Sequence, residues 1–252
     1  MYTETEGIIL KQTKTINGRK MVLLFSRKYG KISAGTSVNE KGRSKSSLAM
    51  RPFTHGKYDL YKNRETYNIN NAEVIKAYYK LGEDVEKYMC ASYVLEFTEK
   101  LIPEDAAEPE VFKLLLDFFD MIEARKKEYM TAVIAFQLKA IQALGMAPQI
   151  GKCVRCGATE ELDYFSIEDG GVLCCGCRGA TDSPQGKNKL IYEMDFDIVV
   201  VFRYFFENNL KSIEHIALNE SVMPRLREIV SEYSKYHFGM KDLLSEEFLK
   251  SM

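Results

Sequence analysis

The stretch TEGIILKQTKTINGRKMVLLFSRKYGKIS, residues 5–33, decides how the N-terminal part of the chain folds. It contains the apolar runs GIILKQT (7–13) and MVLLFS (21–26), separated by the turn sequence NGR, and a third run, KISAGTS (31–37), begins after KYG. Short apolar runs bounded by glycine, asparagine and charged residues predict β-strands joined by tight turns. The stretch therefore predicts three strands connected by two hairpin turns.

Two further runs extend this β structure. LAMRPF (48–53) and YDLYK (58–62) predict two more strands, which follow the loop NEKGRSKSS (39–47). The next segment, AEVIKAYYKL (72–81), predicts a helix. Five short strands in about 70 residues followed by a helix are typical of a small barrel of the OB type.

This N-terminal segment is basic, although the whole chain has a formal net charge of only −1. Residues 1–80 contain 16 Lys and Arg against 6 Asp and Glu, whereas the other 172 residues contain 19 against 30. Such asymmetry predicts a basic module for polyanions attached to an acidic domain. OB barrels bind single strands through a basic groove and aromatic side chains that stack on bases.

The candidate nucleic-acid residues lie in the long loop and around the two hairpin turns. They are Arg19, Lys20, Arg27, Lys31, Lys41, Arg43, Lys45 and Arg51. The aromatic residues Tyr29, Phe53, Tyr58 and Tyr61 suit either base stacking or the barrel core. The sequence leaves that choice open for each of them.

Beyond residue 80 the apolar residues recur at helical spacing. Val85, Met89, Tyr93, Phe97 and Leu101 follow one another four residues apart and predict a helix that ends before Pro103. Further helices are predicted over PEVFKLLLDFFDMIEA (109–124), AVIAFQLKAIQALG (132–145), FDIVVVFRYFFENNL (196–210) and PRLREIVSEYSKYHF (224–238). Together they predict one helical bundle, interrupted by a cysteine-rich segment.

That segment, KCVRCGATEELDYFSIEDGGVLCCGC (152–177), contains five of the six cysteines. The sequence shows neither an export leader nor an apolar run of about 20 residues, so we expect a cytoplasmic protein with reduced thiols rather than a disulfide framework. The pairs Cys153/Cys156 and Cys174/Cys177, with 17 residues between them, predict a four-cysteine zinc site. A thioredoxin-like redox centre needs only one such pair. Cys175 is the spare cysteine.

The predicted zinc is structural rather than catalytic, because four cysteines leave no open position for water. The histidines, His55, His215 and His237, do not recur at ligand spacing and are predicted at the surface or at helix ends. The sequence also lacks the phosphate-loop, nucleophile-elbow, zinc-protease and dinucleotide motifs. These observations predict a binding protein rather than an enzyme.

The predicted fold class is therefore α+β with several domains. Residues 1–80 form a basic OB-type domain, residues 81–150 and 183–252 a helical domain, and residues 151–182 an inserted zinc-binding knuckle.

The order of these parts resembles the bacterial RecO family of DNA repair proteins over nearly the whole chain. The motifs that carry the resemblance are the opening stretch quoted above, KGRSKSSLAMRPF (41–53), CVRCG (153–157) with GGVLCCGC (170–177), and the closing YHFGMKDLLSEEFL (236–249). Some relatives lack the zinc cysteines, in agreement with a structural role for the metal.

The resemblance implies a nucleoid-associated recombination mediator. Such proteins bind single-stranded DNA, anneal complementary strands coated by the single-stranded DNA-binding protein SSB, and act with RecR, often also RecF, to load RecA. Relatives engage the acidic SSB tail through the helical region, where Lys139 and Arg203 are the candidate contacts. Two alternatives are a zinc-ribbon enzyme acting on a nucleic acid or nucleotide and a general RNA-binding module.

Overall fold

The computed structural model describes residues 1–14, 20–38, 44–63, 66–104, 106–179, 190–194, 196–219, 221–241 and 243–249. The chain divides into two compact units, one of Met1–Tyr129 with Leu243–Met252 and the other of Met130–Asp242. The first unit therefore includes the segment 81–129, which the sequence placed in the helical domain. The predicted domain boundaries at residues 80, 150 and 182 stay predictions.

A five-stranded antiparallel and parallel barrel forms the N-terminal part of the first unit. The strands are β1 (Tyr2–Lys14), β2 (Lys20–Ser26), β3 (Gly30–Thr36), β4 (Thr54–Asn63) and β5 (Thr66–Ala77). They pair in the order β1-β2-β3-β5-β4, and β4 pairs with β1 again, so that the strands form a barrel. This arrangement confirms the predicted mixed α+β fold with an OB-like N-terminal domain.

Two of the predicted elements in this region were wrong. LAMRPF is not a strand: helix α1 (Lys45–Ala49) ends within it. The Ser44 side chain starts this helix, because it accepts a hydrogen bond from the Ser47 N–H at 3.1 Å and caps the first turn. AEVIKAYYKL is not a helix: its first half completes β5, where Ala72 faces the core and Glu73 faces solvent. This alternation has the period of two that a strand requires.

Two long helices pack against the barrel within the first unit. They are α2 (Val85–Leu101) and α3 (Pro109–Ala124). Phe112 of α3 contacts the barrel residue Phe25 edge to face, with ring centroids 5.4 Å apart. His55 is buried in the same region beside Phe112, so its predicted surface position was wrong. Val85 is also exposed rather than part of the buried stripe.

The second unit combines helices with a small sheet. Its helices are α4 (Tyr129–Ala143), α5 (Cys175–Gly179), α6 (Phe196–Glu207) and α7 (Val222–Phe238), and its strands are β6 (Tyr164–Ser166), β7 (Gly171–Leu173) and β8 (Ile191–Glu193). The strand order is β7-β6-β8. Phe165 of β6 stacks on Phe202 of α6 at 5.7 Å between centroids, which anchors the cysteine-bearing segment to the helices. A last helix, α8 (Glu246–Leu249), belongs to the first unit. None of the described helices is both long and apolar enough to cross a membrane.

Candidate metal centre and nucleic-acid interface

The four cysteines of the two C-x-x-C pairs come together in the second unit. The sulfur atoms of Cys153, Cys156, Cys174 and Cys177 all lie within 4.8 Å of one another. Cys153 is buried, Cys156 is exposed, and the other two are half-buried. Four cysteine sulfurs at this spacing can hold one metal ion, and the donor set is the one that structural zinc sites use.

The first cysteine pair lies on a tight turn that depends on a glycine. The Cys153 N–H donates to the Ala158 carbonyl at 2.7 Å, and the Gly157 N–H donates to the Cys153 carbonyl at 2.9 Å. Gly157 has a φ of 78°, in the left-handed region that side chains disfavour. The second pair lies on the first turn of α5, where the Arg178 N–H donates to the Cys174 carbonyl at 3.0 Å.

The protein environment favours a thiolate at Cys153. Burial alone would raise its pKa, but the backbone N–H groups of Cys156, Cys174 and Arg155 donate to the sulfur and lower the pKa to about 6. The pKa of Cys177 is raised to about 12, first because its thiol hydrogen-bonds to Cys156. These backbone donors therefore favour the thiolate form of Cys153, and a bound dication would displace thiol protons from the cluster.

Arg155 connects the two cysteine turns through hydrogen bonds that do not involve the sulfurs. Its Nη2 donates to Asp169 Oδ2 at 2.7 Å, and its Nη1 donates to the Cys177 carbonyl at 3.3 Å. The Ser166 hydroxyl donates to the same Asp169 oxygen at 2.6 Å. Arg155 thus links the first turn to the β6–β7 hairpin and to the second turn.

Cys175 does not belong to the four-sulfur cluster. It is exposed, and its Sγ donates to Asp163 Oδ2 at 3.1 Å. That hydrogen bond is the first cause that raises the pKa of Cys175. The spacing argument that preferred Cys174 over Cys175 agrees with this geometry.

In the first unit, the structure gathers part of the predicted nucleic-acid set at one end of the barrel. Lys14 and Lys20 stand directly opposite each other at the end of the β1–β2 ladder, and we call them the hairpin lysine pair. Gln12 Nε2 donates to the Met50 carbonyl at 2.5 Å, which brings this hairpin against the end of α1. Lys45 begins α1, and the exposed Arg51 follows Met50. Lys14 was missed by the sequence analysis.

Two other residues of the predicted nucleic-acid set contact acceptor oxygens of the protein. Arg27 Nη1 lies 3.3 Å from Glu6 Oε2. Lys31 Nζ donates to the Glu99 carbonyl of α2 at 2.8 Å. The remaining candidates, Arg19, Lys41 and Arg43, lie outside the described residues.

One side of the barrel carries an excess of carboxylates. Lys57 of β4 is surrounded by them: its Nζ contacts Glu4 Oε2 at 2.7 Å, and the charges of Glu73 and Asp59 also raise the pKa of Lys57 after that hydrogen bond. Glu4 and Asp59 are directly opposite in the β1–β4 ladder. We call the outer surface around Glu4, Lys57, Asp59 and Glu73 the acidic side of the barrel.

The two candidate contacts for an acidic tail differ in their surroundings. Lys139 Nζ donates to the Phe206 carbonyl at 3.1 Å and to Gln142 Oε1 at 2.7 Å, and burial lowers the pKa of Lys139. Its cation therefore stabilises the last turn of α6, where carbonyls carry the negative end of the helix dipole. Arg203 is exposed on α6, one turn after the exposed Val200.

Comparisons with known proteins cover the whole architecture. A family model described as "Recombination protein O N terminal" matches residues 1–78, and one described as "Recombination protein O C terminal" matches residues 82–247. Curated proteins named "DNA repair protein RecO" are similar over nearly the full length of both chains. The protein from Alkaliphilus metalliredigens is 27% identical over 100% of this chain and 100% of its own. The one from Pelotomaculum thermopropionicum is 30% identical over 98% of this chain and 93% of its own. With both its barrel and its cysteine-bearing helical region matched in order, the chain belongs to the recombination protein O family of DNA repair proteins.

Proposed function

We propose that the protein binds single-stranded DNA through its basic barrel and anneals complementary strands as a recombination mediator. The observation that carries the proposal is the hairpin lysine pair, Lys14 and Lys20. Two cations side by side at the end of a ladder can contact neighbouring phosphates of one strand. Membership in a DNA repair family makes DNA the expected polyanion.

The proposed DNA surface extends from this pair to Lys45 and Arg51. Lys20, Lys45 and Arg51 were also among the DNA-binding residues predicted from the sequence. Arg19, Lys41 and Arg43 belong to the same loops in the sequence and stay in the proposed set. Arg27 and Lys31 also stay in the proposed set; the Glu6 carboxylate lies beside Arg27, and the Glu99 carbonyl accepts a hydrogen bond from Lys31.

Annealing requires no bond to be made or broken in the DNA. Two complementary strands repel each other through their phosphates, and lysine and arginine side chains that neutralise those phosphates release counterions and lower the repulsion. The proposed function therefore assigns binding roles, and no catalytic role, to the barrel residues.

We assign zinc as the metal and a structural role to the site. Four cysteines match the ligands of closed zinc shells, and a short segment with a three-stranded sheet gains folding free energy from such a site. When bound, zinc would supply a cross-link between the turn at Cys153 and the turn at Cys174. The Arg155–Asp169 ion pair supports the same contact from outside the cluster.

The proposed partners are those of a recombination mediator: RecR, RecF in some systems, RecA indirectly, and the acidic tail of SSB. For the tail, exposed Arg203 beside Val200 offers a cation next to an apolar side chain, which suits a peptide with acidic residues and an apolar end. Lys139 stays in the proposal as a second candidate.

Binding of labelled oligonucleotides at several salt concentrations tests the DNA surface. The double substitution Lys14→Ala/Lys20→Ala should weaken binding about equally for all sequences. The slope of log K against log salt concentration should become shallower by about 0.7 for each lost phosphate contact. A matched control, Lys113→Ala/Lys126→Ala, removes two exposed charges elsewhere in the first unit and should change neither quantity. An unchanged salt slope in the first variant would refute this surface.

Annealing of two SSB-coated oligonucleotides, with and without the protein, tests the function itself. The wild-type protein should accelerate annealing, and the hairpin variant should lose that acceleration in proportion to its loss of DNA affinity. Equal binding to RNA strands, with no annealing, would instead favour a general RNA-binding module.

A further inference from the structure

A second group of cationic and aromatic residues lies at the opposite end of β1 from the hairpin lysine pair. There the start of β1, the β2–β3 turn and the ends of β4 and β5 approach one another. The group consists of Tyr2, Lys28, Tyr29, Tyr61, Lys62 and Tyr67, and we call it the tyrosine rim. Tyr29 and Tyr61 are among the stacking candidates named from the sequence, whereas Tyr2, Lys62 and Tyr67 are not.

The outer side of the tyrosine rim presents an ordered aromatic surface. Tyr2 and Tyr61 are cross-strand partners in the β1–β4 ladder, and their ring centroids lie 5.0 Å apart. Tyr2 is nevertheless 75% exposed. Its ring is therefore fixed by a neighbour while much of its surface stays accessible to another flat group.

The inner side of the rim combines two tyrosines with two ammonium groups. The rings of Tyr29 and Tyr67 are 6.0 Å apart, with Lys28 Nζ 5.3 Å from the Tyr29 centroid and Lys62 Nζ 5.0 Å from the Tyr67 centroid. The pKa of Tyr29 is lowered, first by its hydrogen bond with the Thr3 hydroxyl and further by the charges of Lys28 and Lys62. The positive field of both lysines thus extends over the rim.

The backbone fixes the start of β1 at the same place. The Met1 nitrogen donates to the Lys62 carbonyl at 3.0 Å, and the Lys62 N–H donates to the Met1 carbonyl at 2.9 Å. These two hydrogen bonds hold the backbone next to Tyr2 beside Lys62. Aromatic surfaces next to clustered cations are the combination by which proteins hold single strands without sequence preference.

We propose that the tyrosine rim is a second contact site for single-stranded DNA, in which a base stacks on Tyr2 and the adjoining phosphates lie toward Lys28 and Lys62. The inference rests on the proposed DNA-binding function and extends it along the barrel. The next pair inward on the outer side, Glu4 and Asp59, repels phosphates and confines the strand to the edge.

A purely structural role explains only part of this group. Tyr29 and Tyr67 are half-buried and pack against the barrel core, so they also cover the open end of the barrel. Core packing does not account for Tyr2, whose ring is mostly exposed. Tyr2 therefore separates the two explanations, and its replacement should leave the fold intact.

The test measures binding of a labelled oligo-dT of about 20 nucleotides, longer than the about 4–16 nucleotides that one OB barrel covers. Tyr2→Ala should weaken binding between about 5-fold and about 140-fold, which corresponds to the loss of one base stack, without changing the salt slope. Tyr2→Trp should restore the affinity, since the indole also stacks. Tyr79→Ala is the matched control, because Tyr79 is 71% exposed in the same unit but lies outside the rim.

A strand of the same length in which the bases are replaced by abasic sites completes the test. Wild type and Tyr2→Ala should bind this strand equally, because no base is left to stack. Equal binding of the two proteins to oligo-dT would overturn the rim proposal while leaving the hairpin surface in place. Failure of the wild-type protein to bind oligo-dT at all would overturn the proposed function and this inference together.

Discussion

Glu96 and Ser245 are 149 residues apart in the sequence, yet the Glu96 carboxylate accepts two hydrogen bonds from Ser245. The Ser245 N–H donates to Oε2 at 2.8 Å and the hydroxyl donates to the same oxygen at 2.5 Å, while the Leu244 N–H donates to Oε1 at 3.0 Å. These N–H groups precede α8, where a helix lacks its own acceptors. The carboxylate of α2 therefore caps α8 from another helix and holds the C-terminal segment within the first unit.

Replacing Glu96 with Gln should loosen this segment. Burial alone would raise the pKa of Glu96, but the hydrogen bonds from Ser245 and Leu244 lower it below its usual value. Hydrogen bonds to a charged acceptor are worth about 1.5–3 kcal/mol, and less for a half-exposed group. We expect the amides of Leu244 and Ser245 to exchange with deuterium about 10-fold faster in the variant, with Glu160→Gln as the control.

The pH dependence of this contact follows from the lowered pKa. A carboxyl group with a depressed pKa in the folded state stabilises the fold above its unfolded pKa of about 4.3. The contribution is lost as the pH falls through the lower folded value. Unfolding of wild type and Glu96→Gln should therefore differ at neutral pH and converge in acid; a difference that persists below pH of about 2 would contradict the assignment.

The metal site makes a prediction about ligand choice. Elemental analysis should find about one zinc per chain, as a closed four-thiolate site requires. Cys174→Ser should lose or weaken the metal, whereas Cys175→Ser should keep it, because Cys175 faces Asp163 outside the cluster. Retention of zinc by Cys174→Ser together with its loss from Cys175→Ser would reverse the assignment.

A glycine in the β2–β3 turn should be indispensable for stability. Gly30 has a φ of 71°, and a Cβ added there would lie 1.9 Å from the Ala106 carbonyl oxygen. Left-handed strain and overpacking together predict that Gly30→Ala lowers the free energy of unfolding by about 2–5 kcal/mol. Gly82→Ala is the control, because no atom lies within 4 Å of its added Cβ. Chemical denaturation compares the two variants, which should differ clearly in their midpoints.

Arg203 and Lys139, the two candidate contacts for the SSB tail, should respond differently to substitution. Arg203→Glu should weaken binding of a labelled SSB tail peptide, because it reverses an exposed charge beside Val200. Lys139→Gln should lower stability by about 1 kcal/mol through the lost contact with the Phe206 carbonyl. Lys211→Glu makes the same charge change as Arg203→Glu at another exposed position of the second unit.

Circular dichroism and peptide titration decide this prediction. If Arg203→Glu and Lys139→Gln both stay folded and bind the peptide as the wild type does, neither residue contacts the tail. If Lys211→Glu weakens binding as much as Arg203→Glu, the effect reflects net charge rather than a site.

The sequence predicted the barrel better than the elements that complete it. The first three strands follow from turn residues close in sequence, which fix local hairpins. LAMRPF failed because an apolar run of six residues fits either a strand or a short helix, and the Ser44 cap decides between them. AEVIKAYYKL failed because helix-forming residues were overridden by pairing with β4, where Tyr58 lies opposite Ala72.

In the candidate sites, too, contacts within one short segment could be predicted, whereas contacts between residues far apart in the sequence could not. The four cysteines could be predicted together because ligand spacing within one segment constrains the metal geometry. The partner of Lys31, the Glu99 carbonyl, lies 68 residues away and has no local signal. Lys14 could have been found from the sequence, since the turn predicted at NGR implies a register in which Lys14 stands opposite Lys20, the pairing that the structure has.

The acidic side of the barrel has a consequence for how quickly, and in which orientation, the protein meets its ligand. On the acidic side the carboxylates Glu4, Asp59 and Glu73 outnumber the one cation, Lys57, whereas Lys14 and Lys20 stand together at the far end of β1, so charge is unevenly distributed over the barrel. When a negatively charged strand comes within about one Debye length of the protein, about 8 Å at physiological ionic strength, it attracts the lysines and repels the carboxylates. These forces turn the protein before the two molecules touch. Collisions that begin on the carboxylate-bearing surface would be turned away before contact, so a larger share of encounters would be productive at low salt than at high salt.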